Sequence, residues 1–327
     1  MLVTGANGVG KTNLLEAVHV GAQGFSPRTR ADPRLVRFGE DAARVRLGGE
    51  DRGTPFETEV HVAPPQPKRI RLNGAPLGAG EELRLRLAAL AFTPDRLAVV
   101  KGGPIVRRAY LDRMLGRLFP ARAALPSEYG RALAQRNAAL RRVRAGESSR
   151  DALEPWTEQV AALGDELDRA RAALVAALAP GFRAHAGALG LANAVIGYEE
   201  EGLAVEALAG RLERDVERGT TGLGPHLRDA AITADGRDLR AFGSQGEQRT
   251  AVLGLVLAEA DLLAERRGAA PLLLLDDVFS ELDRERSEAL VARIPPGGQT
   301  IVTATERPAA LSPDLVVSVT PGSALAA

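Results

Sequence analysis

Gly5-Ala6-Asn7-Gly8-Val9-Gly10-Lys11-Thr12 satisfies the pattern G-x-x-x-x-G-K-[ST], and its reading decides the fold. Glycines at these places let backbone N–H groups turn inward onto phosphate oxygens. A lysine in the seventh place reaches the β- and γ-phosphates, and the hydroxyl after it ligates Mg²⁺. Leu2-Val3 reads as the end of an apolar strand. Asn13-Leu14-Leu15-Glu16-Ala17-Val18 reads as a helix whose positive N-terminal end points at the same anion. Strand, loop and helix in that order imply an α/β P-loop NTPase. Gly5, Ala6, Asn7, Gly8, Val9, Gly10, Lys11 and Thr12 are the expected nucleotide contacts, with ATP or GTP and Mg²⁺ as the cofactors that the loop alone allows.

A second site lies far downstream in Leu272-Leu273-Leu274-Leu275-Asp276-Asp277. A short, unbroken apolar run suits a strand buried on both faces of a parallel sheet. Acids at its end fall at the C-terminal edge, where open α/β sheets bind ligands. In that place Asp276 holds Mg²⁺, directly or through water, and Asp277 orients or deprotonates the attacking water. Between loop and strand stands Phe242-Gly243-Ser244-Gln245-Gly246-Glu247-Gln248-Arg249-Thr250, followed by helical spacing at Leu253, Leu257 and Ala260, with Leu255 and Leu262 widening the face. Ser244 and Gly246 open that helix and form either a second anion site or a plain capping box closed by Glu247.

Composition bounds the rest. The chain has 327 residues, 45% of them apolar, and a formal net charge of zero, so a basic face on a mixed surface is possible but a globally basic binder is not. Lys11, Lys68 and Lys101 are the only lysines, so 39 of the 42 basic residues are arginine, as a GC-rich codon bias would give. Absence of cysteine excludes disulfides and thiolate metal sites. No stretch approaches the ~18 apolar residues of a membrane span, and no signal peptide precedes Thr4; a cytoplasmic protein with no membrane partner is expected.

The order loop, Ser-Gln-Gly-Glu-Gln, apolar strand, Asp-Asp matches the ATP-binding-cassette type of ATPase. Within that class the chain resembles the RecF family of bacterial recombinational repair proteins. The resemblance is carried by Gly8 to Ala17, Phe92-Thr93-Pro94-Asp95-Arg96-Leu97, Arg107-Arg108-Ala109-Tyr110-Leu111-Asp112, Gln135-Arg136-Asn137, Trp156, Gly224-Pro225-His226, Gly243 to Arg249 and Leu275 to Asp283. It implies an ATPase lobe from residues 1–92 with 220–327, and an inserted helical arm over 93–219. It also implies an ATP-dependent head-to-tail homodimer, in which Ser244 and Gly246 touch the γ-phosphate held by the opposite protomer and Ser280-Glu281-Leu282-Asp283 lies alongside. The resemblance extends to a clamp on single-stranded or gapped DNA that aids recombinase loading and SOS induction, to RecO- and RecR-like partners, and to a weak DNA-stimulated ATPase.

Departures from the family pattern set further expectations. The strands that precede the phosphate loop in the family are not in this chain, which implies an upstream start, or else a truncated nucleotide-binding module without productive turnover. Leu227 stands where the family has an arginine. Ile301-Val302-Thr303-Ala304-Thr305-Glu306 occupies the strand end where many cassette ATPases keep a histidine, and Asp277 replaces a commoner glutamate, so hydrolysis should be slow. A transporter's driving subunit would want that glutamate, that histidine and a glutamine at the lobe junction, all missing.

Elsewhere, Thr58 to Val62 alternates and Arg69 to Leu72 meets Asn73-Gly74, a hairpin signal. Asp235-Gly236 reads as a second hairpin between Ala231-Ile232-Thr233 and Leu239, and Gln299 to Ala304 as the closing strand. Trp156, Val160, Leu163, Leu167, Leu174 and Leu178 recur at helical spacing and suit either a helical hairpin or an amphipathic core helix. The arm is dense in arginine, read as a solvated surface, from Arg107, Arg108, Arg113, Arg117, Arg122 and Arg131 through Arg136; Arg141, Arg142 and Arg144 are its tightest cluster and the expected DNA-phosphate contacts. Aromatic residues make up only 4% of the chain, which argues against a base-stacking platform.

Overall fold

The computed structural model describes residues 1–29, 31–51, 53–78, 83, 84 and 86–326. Its centre is a six-stranded sheet in the order β13-β12-β1-β11-β10-β6. These strands are β1 (Leu2–Thr4), β6 (Ala89–Phe92), β10 (Leu272–Asp276), β11 (Thr300–Ala304), β12 (Val316–Thr320) and β13 (Ser323–Ala326). All neighbours pair in parallel except β12 with β13. A parallel sheet must be covered on both faces, and the side chains divide accordingly. Leu2, Phe92, Leu273, Leu275 and Val302 join the large helical core. Val3, Ala91, Leu274 and Ile301 face the other way, onto Leu15 of helix α1 (Lys11–Gln23).

The run Gln299 to Ala304 is not the closing strand. β11 lies inside the sheet between β1 and β10, and β12 with β13 forms the edge. An antiparallel sheet of β2 (Ala43–Asp51), β3 (Thr54–Val62), β4 (Arg69–Leu72) and β5 (Ala75–Pro76) packs its apolar side near Val20 of α1. Asn73 and Gly74 make the turn between β4 and β5, both at positive φ.

Beside α1, the helices of seven or more residues among the described residues are α2 (Pro104–Leu118), α3 (Leu125–Arg144), α4 (Glu154–Ala188), α5 (Leu212–Arg218), α6 (Gln245–Arg267) and α7 (Arg284–Arg293). Both readings of the Trp156 to Leu178 spacing hold, over different parts of α4. Its first half pairs with α3, where a Cβ on Gly164 would lie 3.0 Å from the Tyr129 ring. Its second half is a core helix against α6: a Cβ on Gly181 would lie 3.2 Å from the Cβ of Ala258, and one on Gly254 3.2 Å from that of Ala186. Enclosed by α4 and the sheet, α6 is buried almost all round from Gln248 to Ala260, so its apolar face is wider than periodicity suggests.

A third sheet joins β7 (Ala194–Tyr198), β8 (Ala230–Ala234) and β9 (Arg237–Asp238), so residues on either side of the 219/220 boundary pair in one hairpin stack. The returning strand is only two residues long. Asp238 then caps a helical turn by accepting from Arg240 N at 2.8 Å, which removes Leu239 from the strand.

Three arginines of the arm are not surface cations. Arg136 is fully buried and donates to Asp215 (2.9 Å) on α5, Thr221 (2.8 Å) and Thr157 (3.1 Å). Arg117 pairs with buried Glu259 of α6, and Arg107 forks onto Asp229. Each has an acid brought from a distant segment, without which a buried guanidinium is too costly to keep. Among the described residues no helix is long and apolar enough to cross a membrane.

Candidate nucleotide site

The phosphate loop runs from β1 to α1. Gly5 has no room for a side chain: a Cβ there would lie 2.5 Å from the Val319 carbonyl of β12. Gly10 caps α1 at φ 110°, a conformation L side chains rarely take. Cβ atoms on Gly8 and Gly10 would meet nothing within 4 Å, so the mouth of the loop is open. Lys11 folds back and donates to the carbonyls of Gly5 (2.7 Å) and Ala6 (2.9 Å).

The downstream carboxylates lie against this loop. Thr12 Oγ1 donates to Asp276 Oδ1 at 3.0 Å, across 264 residues of chain. A second hydroxyl, that of Thr303 on β11, donates to the same oxygen at 2.7 Å and accepts from the backbone N–H of Asp277 at 2.9 Å. The pairing of β10 with β11 sets Asp276 opposite Thr303. Thr303 was missed as a site residue by sequence reasoning. Its signal is a hydroxyl ending an apolar strand, and its meaning needs the register, which only the fold supplies.

Asp277 itself sits at φ 48°, ψ 37°, in the left-handed region that Asp tolerates better than most residues. That kink turns the chain off the strand. Its carbonyl accepts from Arg249 Nη2 at 2.6 Å and from Ser280 Oγ at 2.9 Å. Arg249, one turn into α6, also pairs with Glu281 at 3.0 Å.

Ser244 and Gly246 are not joined to this cluster. Both are exposed, and among the described residues no hydrogen bond links them to the phosphate loop. Ser244 is the N-cap of α6, accepting from Glu247 N at 3.2 Å, while Glu247 accepts from Ser244 N at 2.7 Å. The two readings of this segment are compatible. A serine that accepts in a cap still has its O–H proton to donate to an anion. Leu227 is 57% exposed, and the adjacent His226 ring meets the Tyr129 hydroxyl at 2.6 Å.

The donor set suits the expected cofactors. Mg²⁺ takes hard oxygen ligands, a hydroxyl and a carboxylate among them, and Thr12 and Asp276 supply that pair at the foot of an open loop. Among the described residues there is no competing cluster of three or more His, Asp or Glu.

Comparison with known proteins assigns the family. A relative from Frankia alni, described as DNA replication and repair protein RecF, is 38% identical over 330 residues, covering 92% of this chain and 86% of its own. One from Myxococcus xanthus with the same description is 39% identical over 321 residues, covering 93% and 84%. The chain belongs to the RecF family. No family model matches it. Among solved structures, the recombination mediator protein RecF with ATP, of the RecFOR pathway, superimposes with a TM-score of 0.87 at 27% identity, covering 100% of this chain and 91% of that one. The Smc head domain of Pyrococcus furiosus, at 18% identity and a TM-score of 0.57, shares the fold alone. RecF membership and the Smc likeness together make the ATP-binding-cassette architecture the frame for the site.

Proposed function

We propose that this RecF-family chain is an ATP-dependent DNA-binding protein of replication and recombinational repair, with Mg·ATP held in the Gly5–Thr12 loop. The observation that carries the reading is the 3.0 Å contact between Thr12 and Asp276. It supports reading Thr12 and Asp276 as a Mg²⁺-binding pair beside the loop lysine, on a fold whose relatives include RecF with ATP. In this reading Lys11 would leave its carbonyls for the β- and γ-phosphates, and Thr12 with Asp276 would hold the metal. Bound Mg²⁺ would neutralise phosphate charge. Asp277 orients the attacking water and accepts its proton. Its carboxylate is shorter than the glutamate of related sites, which favours slow turnover.

The exposure of Ser244 and Gly246 supports an ATP-dependent head-to-tail dimer in which they complete a neighbour's site. Arg141, Arg142 and Arg144, all exposed near the end of α3, are the candidate DNA-phosphate contacts. RecO- and RecR-like proteins are the partners this role implies.

ATP binding and hydrolysis, measured with and without gapped DNA, test the proposal. Lys11→Ala should lose nucleotide binding, while Asp277→Ala should keep it and lose turnover. Replacing the three arginines by alanine should weaken DNA binding evenly across sequences and flatten its dependence on salt. Turnover indifferent to both substitutions and to DNA would refute the reading.

A further inference from the structure

Arg249 has no assigned role, yet it is one of the most heavily engaged side chains near the site. It is 6% exposed. One end of its guanidinium donates to the Asp277 carbonyl at 2.6 Å, and the other pairs with Glu281 at 3.0 Å. The cation lies 5.4 Å from the centroid of the Phe92 ring, at the end of β6. It therefore touches a strand end of the parallel sheet, the residue after Asp276 and the loop Ser280–Asp283.

Its backbone belongs to the helix that Ser244 caps, about 7.5 Å along the axis from that cap. Asp277 is held in a left-handed conformation by hydrogen bonds on both sides: its N–H donates to Thr303 Oγ1, and its carbonyl accepts from Ser280 and Arg249. For a residue in a sparsely populated backbone region, these neighbours fix the Cα–Cβ direction from which the carboxylate projects. Thr303 and Ser280 act from the sheet and from the loop. Arg249 is the donor that acts from α6.

We propose that Arg249 is a positioning residue, which fixes the aim of Asp277 and ties it to the Ser244 end of α6. The inference rests on the reading above in two respects, that Asp277 serves ATP hydrolysis and, for the coupling between sites, that Ser244 meets a neighbour's nucleotide. Given a neighbour's nucleotide at Ser244, any shift of the helix end reaches Asp277 through a buried, two-ended contact. Occupancy of one site thus bears on turnover in the other.

The test compares wild type with Arg249→Lys, Arg249→Gln and Glu281→Gln. A lysine can reach the carbonyl or the carboxylate but cannot fork to both. Two readouts are taken: kcat separately from KM, and amide hydrogen exchange over residues 277–283 in protein without nucleotide. The expected order of kcat is wild type, then Lys, then Gln, with Gln lower than wild type by about tenfold or more and nucleotide affinity changed by less than about threefold. Exchange over 277–283 should quicken in the same order.

Glu281 is half exposed, so its substitution spares the fold even if Arg249→Gln does not. It should also quicken exchange and lower kcat. Folded variants with kcat within about twofold of wild type and unchanged exchange would overturn the proposal. A wild type without turnover would instead sink the ATPase reading, and the exchange comparison would still decide the inference.

Discussion

Replacing Thr303 by valine removes one hydroxyl and preserves side-chain shape. Thr303 is completely buried, so solvent water has no direct path to replace that group. Two hydrogen bonds disappear: the 2.7 Å donation to the Asp276 carboxylate and the 2.9 Å acceptance from Asp277 N–H. A bond to a charged group contributes about 1.5–3 kcal/mol, and an N–H left without a partner costs about 1–3 kcal/mol. Asp276 keeps its bond from Thr12, which softens the first loss. A net destabilisation of about 2–4 kcal/mol follows. With an unfolding entropy of about 0.7 kcal/mol/K for a chain of this size, the melting temperature should drop by about 3–6 °C. Thr303→Ser restores the hydroxyl and should recover most of that loss. Calorimetry on the three proteins, with Mg²⁺-dependent ATP binding measured on each, is the assay. A valine variant within about 1 °C of wild type, with unaltered Mg²⁺ dependence, would show that the hydroxyl bridge does not hold the two aspartates.

Three further outcomes can be checked. His19 is buried and its pKa is pushed down from 6.5 to about 3, chiefly by desolvation, so the unfolded chain takes up a proton that the native chain refuses. Stability from this group is therefore complete above pH 6.5 and falls as pH drops towards 3, by up to about 1.4 kcal/mol per pH unit; urea unfolding of His19→Asn between pH 4.5 and 7 should show a slope flatter by that amount. Asp215→Ala strands a fully buried Arg136 and should cost about 3–5 kcal/mol in denaturant unfolding, so a loss below about 1 kcal/mol would contradict the buried pair. Gly5→Ala would press a Cβ to 2.5 Å from the Val319 carbonyl; nucleotide affinity should fall by about tenfold or more in a protein that remains folded, and unaffected binding would deny that close approach.

What could be read from sequence was local. The phosphate loop, its strand and its helix occupy adjacent residues, and the Leu272–Asp276 strand needs only an apolar run with an acid at its end. The α4 spacing was legible as helix but not as to partner, because apolar periodicity is the same whether it meets α3 or α6. The importance of Thr303 could not be read, since it depends on a strand register between segments 27 residues apart. Burial of Arg107, Arg117 and Arg136 was hidden for the same reason. Their acids lie 122, 142 and 79 residues away, and an arginine codes equally well for a solvated face or a buried pair. The signature segment read ambiguously because a capping box and an anion site use the same atoms, and the structure keeps both uses open at Ser244.

The seam where Gly181 and Ala186 of α4 meet Ala258 and Gly254 of α6 has a mechanical meaning. Backbones this close have no side-chain cushion between them, which leaves the two helices little room to slide past each other over that stretch. From the seam, α6 runs about 15–20 Å to its cap, whereas α4 runs about 40–48 Å to its start near the arm tip. With α4 stiff through Pro180, which stands at the edge of the seam, a pivot there would be an oar held near its handle: each ångström of travel at Ser244 would be magnified about two- to threefold beside Arg141, Arg142 and Arg144. Distances from a spin label at Ser318 on β12 to labels at Glu147 and Phe242, taken with and without nucleotide, would read the stroke, and unchanged distances at both ends would mean that the oar does not move.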